Sequence, residues 1–221
     1  SSYYSNMRTF YLLFFMIALK VHASPFILPA KIAVKSTVLV QANSDFSLDP
    51  PIRKGAGFLI AKEGLICTLY HNVSHANSIV VTLQSGETCK AKLLGGDTYT
   101  DIGFLQIEGD SFPYLAYGNS DEVEVGDWVL TAGLPFTRRV SIKKGIVSGL
   151  EEKEGQTFFL VDLPFNPGDY GGPLLNTEGE WIGMNFANTT SHQVFGICIP
   201  SQTIQFILTQ FLEERFFTVL P

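Results

Sequence analysis

From about Lys31 to Pro200 the apolar residues fall in short runs, roughly 8–15 residues apart and separated by turn signals. This punctuation leaves no room for long helices over most of the chain. The runs are Ala33–Gln41, Ala56–Ala61, Leu65–Leu69, Ser78–Leu83, Thr88–Leu94, Ile102–Ile107, Trp128–Ala132, Val140–Leu150, Thr157–Val161, Trp181–Phe186 and Val194–Ile199. Gln84-Ser85-Gly86-Glu87 and Glu151–Gly155 read as hairpin turns. The 20 glycines, 11 prolines and 18 phenylalanines suit turns and strands better than helices. The expected class is all-β, as a sandwich or barrels.

The 221 residues, 46% of them apolar, suffice for one domain with a sizeable core or for two small ones. A net charge of −6 offers no basic surface for nucleic acid. One helix is expected, over 201–217. Ser201 is its candidate N-cap, and Ile204, Ile207, Leu208, Phe211 and Leu212 form one apolar face. Arg215 falls in its last turn, where positive charge is favoured. The polar face carries Gln and Glu rather than the Lys and Arg of an interfacial helix, so the expectation is packing on the β domain.

Residues 1–23 read as a secretory signal peptide. Met7-Arg8 is a basic start, Phe10–Leu19 an apolar run too short to span a bilayer, and Val21-His22-Ala23 a small-x-small cleavage site. An uncleaved anchor is the competing reading, and residues 1–6 have no physical account. Export makes disulfides chemically accessible, yet Cys67, Cys89 and Cys198 are three and each sits in or beside an apolar run. They read as small core hydrophobes. No Cys/His cluster has metal-ligand spacing, and neither a metal nor a cofactor is expected.

The segment Asn166-Pro-Gly-Asp-Tyr-Gly-Gly-Pro173 carries the chemistry. With a serine in place of Tyr170 it would be the loop that presents the nucleophile in trypsin-like proteases. Five further segments appear in matching order: 55–66 around Gly55-Ala-Gly-Phe, 68–73 around His71, 100–107 around Asp101, 126–136 opening with Gly126-Asp-Trp, and the pair 179–185 and 195–201. Over about two thirds of its length the chain resembles the HtrA/DegP-type, trypsin-like serine proteases. The resemblance implies two six-stranded antiparallel barrels, about 55–127 and 128–200, with a cleft between them. Residues 24–54 are left as an N-terminal strand and loop.

Residue by residue, the resemblance makes His71 the general base and Asp101 the carboxylate that orients it. The competing reading of Asp101 is a turn residue or strand cap. His75 and His192 are expected at the surface. Gly168 and Tyr170 would supply oxyanion-hole amides, which are backbone groups and survive a side-chain change. Gly171 and Gly172 allow the tight turn. Leu163, Pro164 and Phe165 are expected on one wall of a substrate pocket, with Asn185, Phe186 and Ala187 opposite. Tyr170 breaks the pattern. Its hydroxyl lies about 4 Å farther from the backbone than a serine oxygen, and its ring is expected where the scissile peptide would lie. Asp169, Ser141, Ser148 and Ser191 are poorly placed to replace the missing hydroxyl.

Two functions follow. One is a pseudoprotease, periplasmic or secreted, that binds unfolded polypeptide or a specific protein partner without cutting. The alternative is an active serine-type endopeptidase cleaving unfolded proteins. Homo-oligomers are a third expectation, through the aromatic N-terminal stretch that includes Phe26 and Phe46. The C-terminal PDZ domain that such proteases usually add is not expected here.

Overall fold

A computed structural model describes residues 24–44, 52–134, 139–189 and 195–218. The expected signal peptide, Phe46, Ser191 and His192 lie outside these residues, as does the side chain of Arg215. Helix α1 (Ile27–Ser36) leads into strands β1 (Thr37–Asn43), β2 (Ile52–Leu59) and β3 (Leu65–Leu69). A single helical turn, α2 (Tyr70–Val73), precedes β4 (Ser78–Thr82), β5 (Thr88–Asp97) and β6 (Ile102–Ile107). The second set is β7 (Trp128–Gly133), β8 (Ser141–Lys153), β9 (Gln156–Val161), β10 (Pro173–Leu175), β11 (Trp181–Asn188) and β12 (Gly196–Pro200), followed by α3 (Ser201–Thr218).

The strands close into two six-stranded barrels, in the orders β1-β2-β3-β6-β5-β4 and β10-β11-β12-β9-β8-β7, with every ladder antiparallel. Closure removes the exposed edges that an open sheet would present. Both expected hairpins form. In the second, Glu154 and Gly155 both have positive φ (53° and 76°), the pattern whose twist suits a two-residue loop.

Period-two alternation explains how the barrels dock. Leu59, Ile66 and Leu105 point into the first barrel, while their neighbours Phe58, Cys67 and Phe104 point outward into a layer between the barrels. On the other side Ile182 and Cys198 fill the second barrel, and Trp181 and Ile199 enter the shared layer. Phe58 meets Trp181 at 5.5 Å between ring centres. Burying each side chain of this size stabilises the fold by about 1.5–3 kcal/mol.

Several expectations change. Ala33–Ser36, read as strand, completes α1, and the strand starts at the β-branched pair Thr37-Val38. The helix packs on β7 and β8 of the second barrel. The first barrel therefore begins at Thr37 rather than near residue 55, because β1 closes it by pairing with both β2 and β4. In α3, Ile204 and Ile207 are buried and Leu208 and Phe211 pack on the shared layer, but Leu212 is 51% exposed. The apolar face is narrower than the sequence spacing suggests.

Ser201 does not cap its own helix. Its hydroxyl donates to Gly118 O at 2.6 Å and accepts from Ser120 N at 3.2 Å, while the Ser120 hydroxyl accepts from Gln202 N at 3.0 Å. The inter-barrel connector is thus stitched to the start of α3. Ser201 is fully buried, so Ser201→Ala strands two buried backbone groups. The expected cost is about 2 kcal/mol, read as a lower urea midpoint at unchanged m-value.

Candidate active site

The site is assembled from both barrels. Strand β3 ends at Leu69, and α2 turns His71 out towards solvent, with its side chain 61% exposed. Asp101 stands just before β6 with φ +58°, a left-handed conformation that Asp tolerates better than most residues. There it receives three bonds from the α2 turn. His71 Nδ1 lies 2.6 Å from Oδ2, His71 N donates to Oδ1 at 2.7 Å, and Tyr70 N donates to the Asp101 carbonyl at 2.9 Å. A carboxylate can only accept, so Nδ1 carries the proton and the Nε2 lone pair is left for chemistry. Arg53 braces the same turn from β2 by donating to the carbonyls of His71 and Ser74.

The second barrel contributes the loop 166–172, and its shape comes from groups other than the side chain at 170. Asp169 is buried and turned away from the cleft, paired with Lys143 Nζ at 2.6 Å and accepting from Asn166 N at 2.7 Å. Asn185, fully buried beneath the loop, donates to Asp169 O at 3.0 Å. Its main chain binds the loop twice, accepting from Gly171 N and donating to Gly172 O, both at 2.8 Å. Gly171 has φ +83°, and a Cβ there would lie 2.4 Å from Ala56 O. That close approach lets Ala56 N donate to Tyr170 O at 3.0 Å, joining the loop to β2 of the first barrel. Asp169 N donates to Asn166 O and Gly172 N to Asp169 O. Among the described residues, the amides of Gly168 and Tyr170 donate to no protein acceptor.

Tyr170 shares a cleft of about 520 Å³ with His71, Gly168, Phe186, Ala187 and Asn188. Its ring packs edge-on against Phe165, 6.3 Å between centres, and its hydroxyl accepts from Asn188 Nδ2 at 3.1 Å. Among the described residues no hydrogen bond links the phenol to His71.

The expected substrate walls are only partly realised. Phe186 and Ala187 line the cleft, whereas Leu163 and Phe165 are buried in the second barrel's core and Asn185 lies under the loop. Pro164 is exposed away from the cleft, its carbonyl accepting from Lys143. The sequence reading missed Asn188, Arg53 and Lys143. Each bonds backbone carbonyls or a distant side chain, a role with no local pattern.

Comparison with known proteins matches a sequence profile of the trypsin-like peptidase domain to residues 55–184. This chain belongs to that family. A probable periplasmic serine endoprotease, DegP-like, of Chlamydia trachomatis serovar D is 33% identical over 169 residues, 73% of this chain and 34% of the relative. The putative serine protease HhoB of Synechocystis is 35% identical over 159 residues, 68% of this chain and 38% of the relative. The solved structure of the HtrA-type protease AlgW with a tripeptide superposes with a TM-score of 0.76 at 25% identity, covering 84% of this chain and 63% of that one. Within the trypsin-like family the chain is thus of HtrA type, and it spans about a third of the length of these curated relatives.

Burial first, and then the neighbouring Asp169 charge, raise the Tyr170 phenol above its usual 10.0. A raised folded-state value means that the folded chain holds the proton longer. Stability from this group is therefore complete below pH 10 and falls as pH climbs through the folded value. Thermal unfolding of the native protein and Tyr170→Phe between pH 9 and 11 is expected to show a steeper alkaline loss of Tm in the native protein.

Proposed function

We propose that this chain is an exported HtrA-type pseudoprotease, a peptidase domain that holds extended polypeptide or a protein partner in its cleft without cutting it. The observation that carries the reading is Tyr170. It stands where the resemblance requires the nucleophilic serine, and its hydroxyl is paired with Asn188 rather than His71.

His71 and Asp101 keep the geometry of a general base and its orienting carboxylate. The amides of Gly168 and Tyr170 remain available for an oxyanion. What is missing is a hydroxyl that His71 could deprotonate beside a scissile carbonyl. Removing that nucleophile from such a triad leaves only the residual catalysis of the oxyanion hole and of binding, about 10³–10⁴-fold over water. Binding survives this loss, because an extended peptide is held largely through main-chain hydrogen bonds. The periplasmic naming of the relatives supports export, as does the apolar run Phe10–Leu19.

Casein hydrolysis by the protein from Ser24 onward tests the reading, with Tyr170→Ser and Tyr170→Ser/His71→Ala alongside. The native protein is expected to leave casein intact, Tyr170→Ser to cleave it, and the double variant to be inactive again. Cleavage by the native protein, lost on His71→Ala, would establish the endopeptidase instead.

A further inference from the structure

We propose that the Tyr170 side chain is a built-in occupant of a side-chain pocket beside the cleft, so that the cleft takes a partner's main chain without reading the side chain that would enter there. The inference deepens the pseudoprotease reading and rests on it for the nature of the partner.

The pocket lies where segment 163–166 meets the end of β11. Phe165 N donates to Asn188 Oδ1 at 2.8 Å, and Asn188 Nδ2 donates back to Phe165 O at 2.7 Å. This reciprocal pair ties the two walls together and fixes the Asn188 amide. Its remaining N–H is aimed at the Tyr170 hydroxyl, 3.1 Å away. The Phe165 ring meets the Tyr170 ring at an interplanar angle of 86°. Tyr170 also packs against both the second barrel's core and the layer between the barrels. An oriented donor for the hydroxyl, an aromatic edge for the ring and apolar contact around it are what a phenol site requires.

The occupant belongs to the chain and so competes at high effective concentration. An incoming side chain would have to expel the ring and break its bond to Asn188. Loss of the nucleophile and loss of side-chain selectivity thus follow from one residue.

The test uses phenol, which corresponds to the side-chain atoms that Tyr170→Ala removes. Phenol titrated into Tyr170→Ala is expected to bind saturably, shift the NMR signals of Phe165 and the Asn188 side-chain amide, and raise Tm with concentration. The native protein and Tyr170→Phe are expected to show none of these responses. Folded Tyr170→Ala that ignores phenol, or native protein that binds it at the same signals, overturns the proposal. If Tyr170→Ala does not fold, nuclear Overhauser contacts between the Tyr170 and Phe165 rings of the native protein decide. Their presence supports the proposal, and an averaged ring open to a soluble paramagnetic probe overturns it. Phenol capture by Tyr170→Ala combined with casein cleavage by the native protein would remove the pseudoprotease reading and leave the occupied pocket standing.

Discussion

The apolar layer between the two barrels is the constraint on which the site depends. Strands β2, β3, β6, β11 and β12 bury both faces, one inside a barrel and one against Phe58, Phe104 and Trp181 in the shared layer. Neither barrel can turn away from the other without exposing those aromatic rings to water, at roughly 25 cal/mol per Å². The site spans the junction, with His71 and Asp101 on one side and the loop 166–172 on the other. The Ala56 N to Tyr170 O bond holds the loop against β2. Helix α3 rests on the same layer through Ile204, Ile207 and Phe211, and the Phe211 ring packs edge-on against Phe104.

Why the loop tolerates a tyrosine follows from what shapes it. The turn is set by the Asp169–Lys143 pair, by Asn185 from below, and by a left-handed Gly171 against β2. None of these uses the side chain at 170. That side chain can change from a small hydroxyl to a phenol with the loop's backbone bonds in place, provided the ring finds cover. Phe165 and Asn188 supply it. On the proposed reading, the nucleophile is lost while the base, the orienting carboxylate and the loop amides stay in place.

Much of this was legible in the sequence because it is periodic or motif-borne. Alternating strands, two hairpin turns, the terminal helix and the partnership of His71 with Asp101 all emerge from local pattern or from the ordered resemblance. The errors have physical causes. Residues 33–36 read as strand because Ala33 and Val34 adjoin a true β run, but they lie in a helix packed on the other barrel. Leu163 and Phe165 are apolar and precede the loop, which points them to the cleft wall. Along that segment burial alternates, and Leu163 and Phe165 turn into the core while Pro164 and Asn166 turn out. Asn188, Arg53 and Lys143 act on groups 18 to 26 residues away in the chain, and no local signal marks such partners.

On the proposed reading, one residue disarms an otherwise assembled site. Intact-mass measurement with adduct mapping after brief exposure to diisopropyl fluorophosphate tests this, since the reagent phosphorylates a serine activated by its base and oxyanion hole far faster than other hydroxyls. A single adduct at position 170 in Tyr170→Ser, absent from the native protein and from Tyr170→Ser/His71→Ala, is the predicted result. An unlabelled but folded Tyr170→Ser would contradict the account by showing that the frame itself is broken. An adduct mapped to a serine of the native protein, and lost on His71→Ala, would contradict it by revealing an active serine elsewhere.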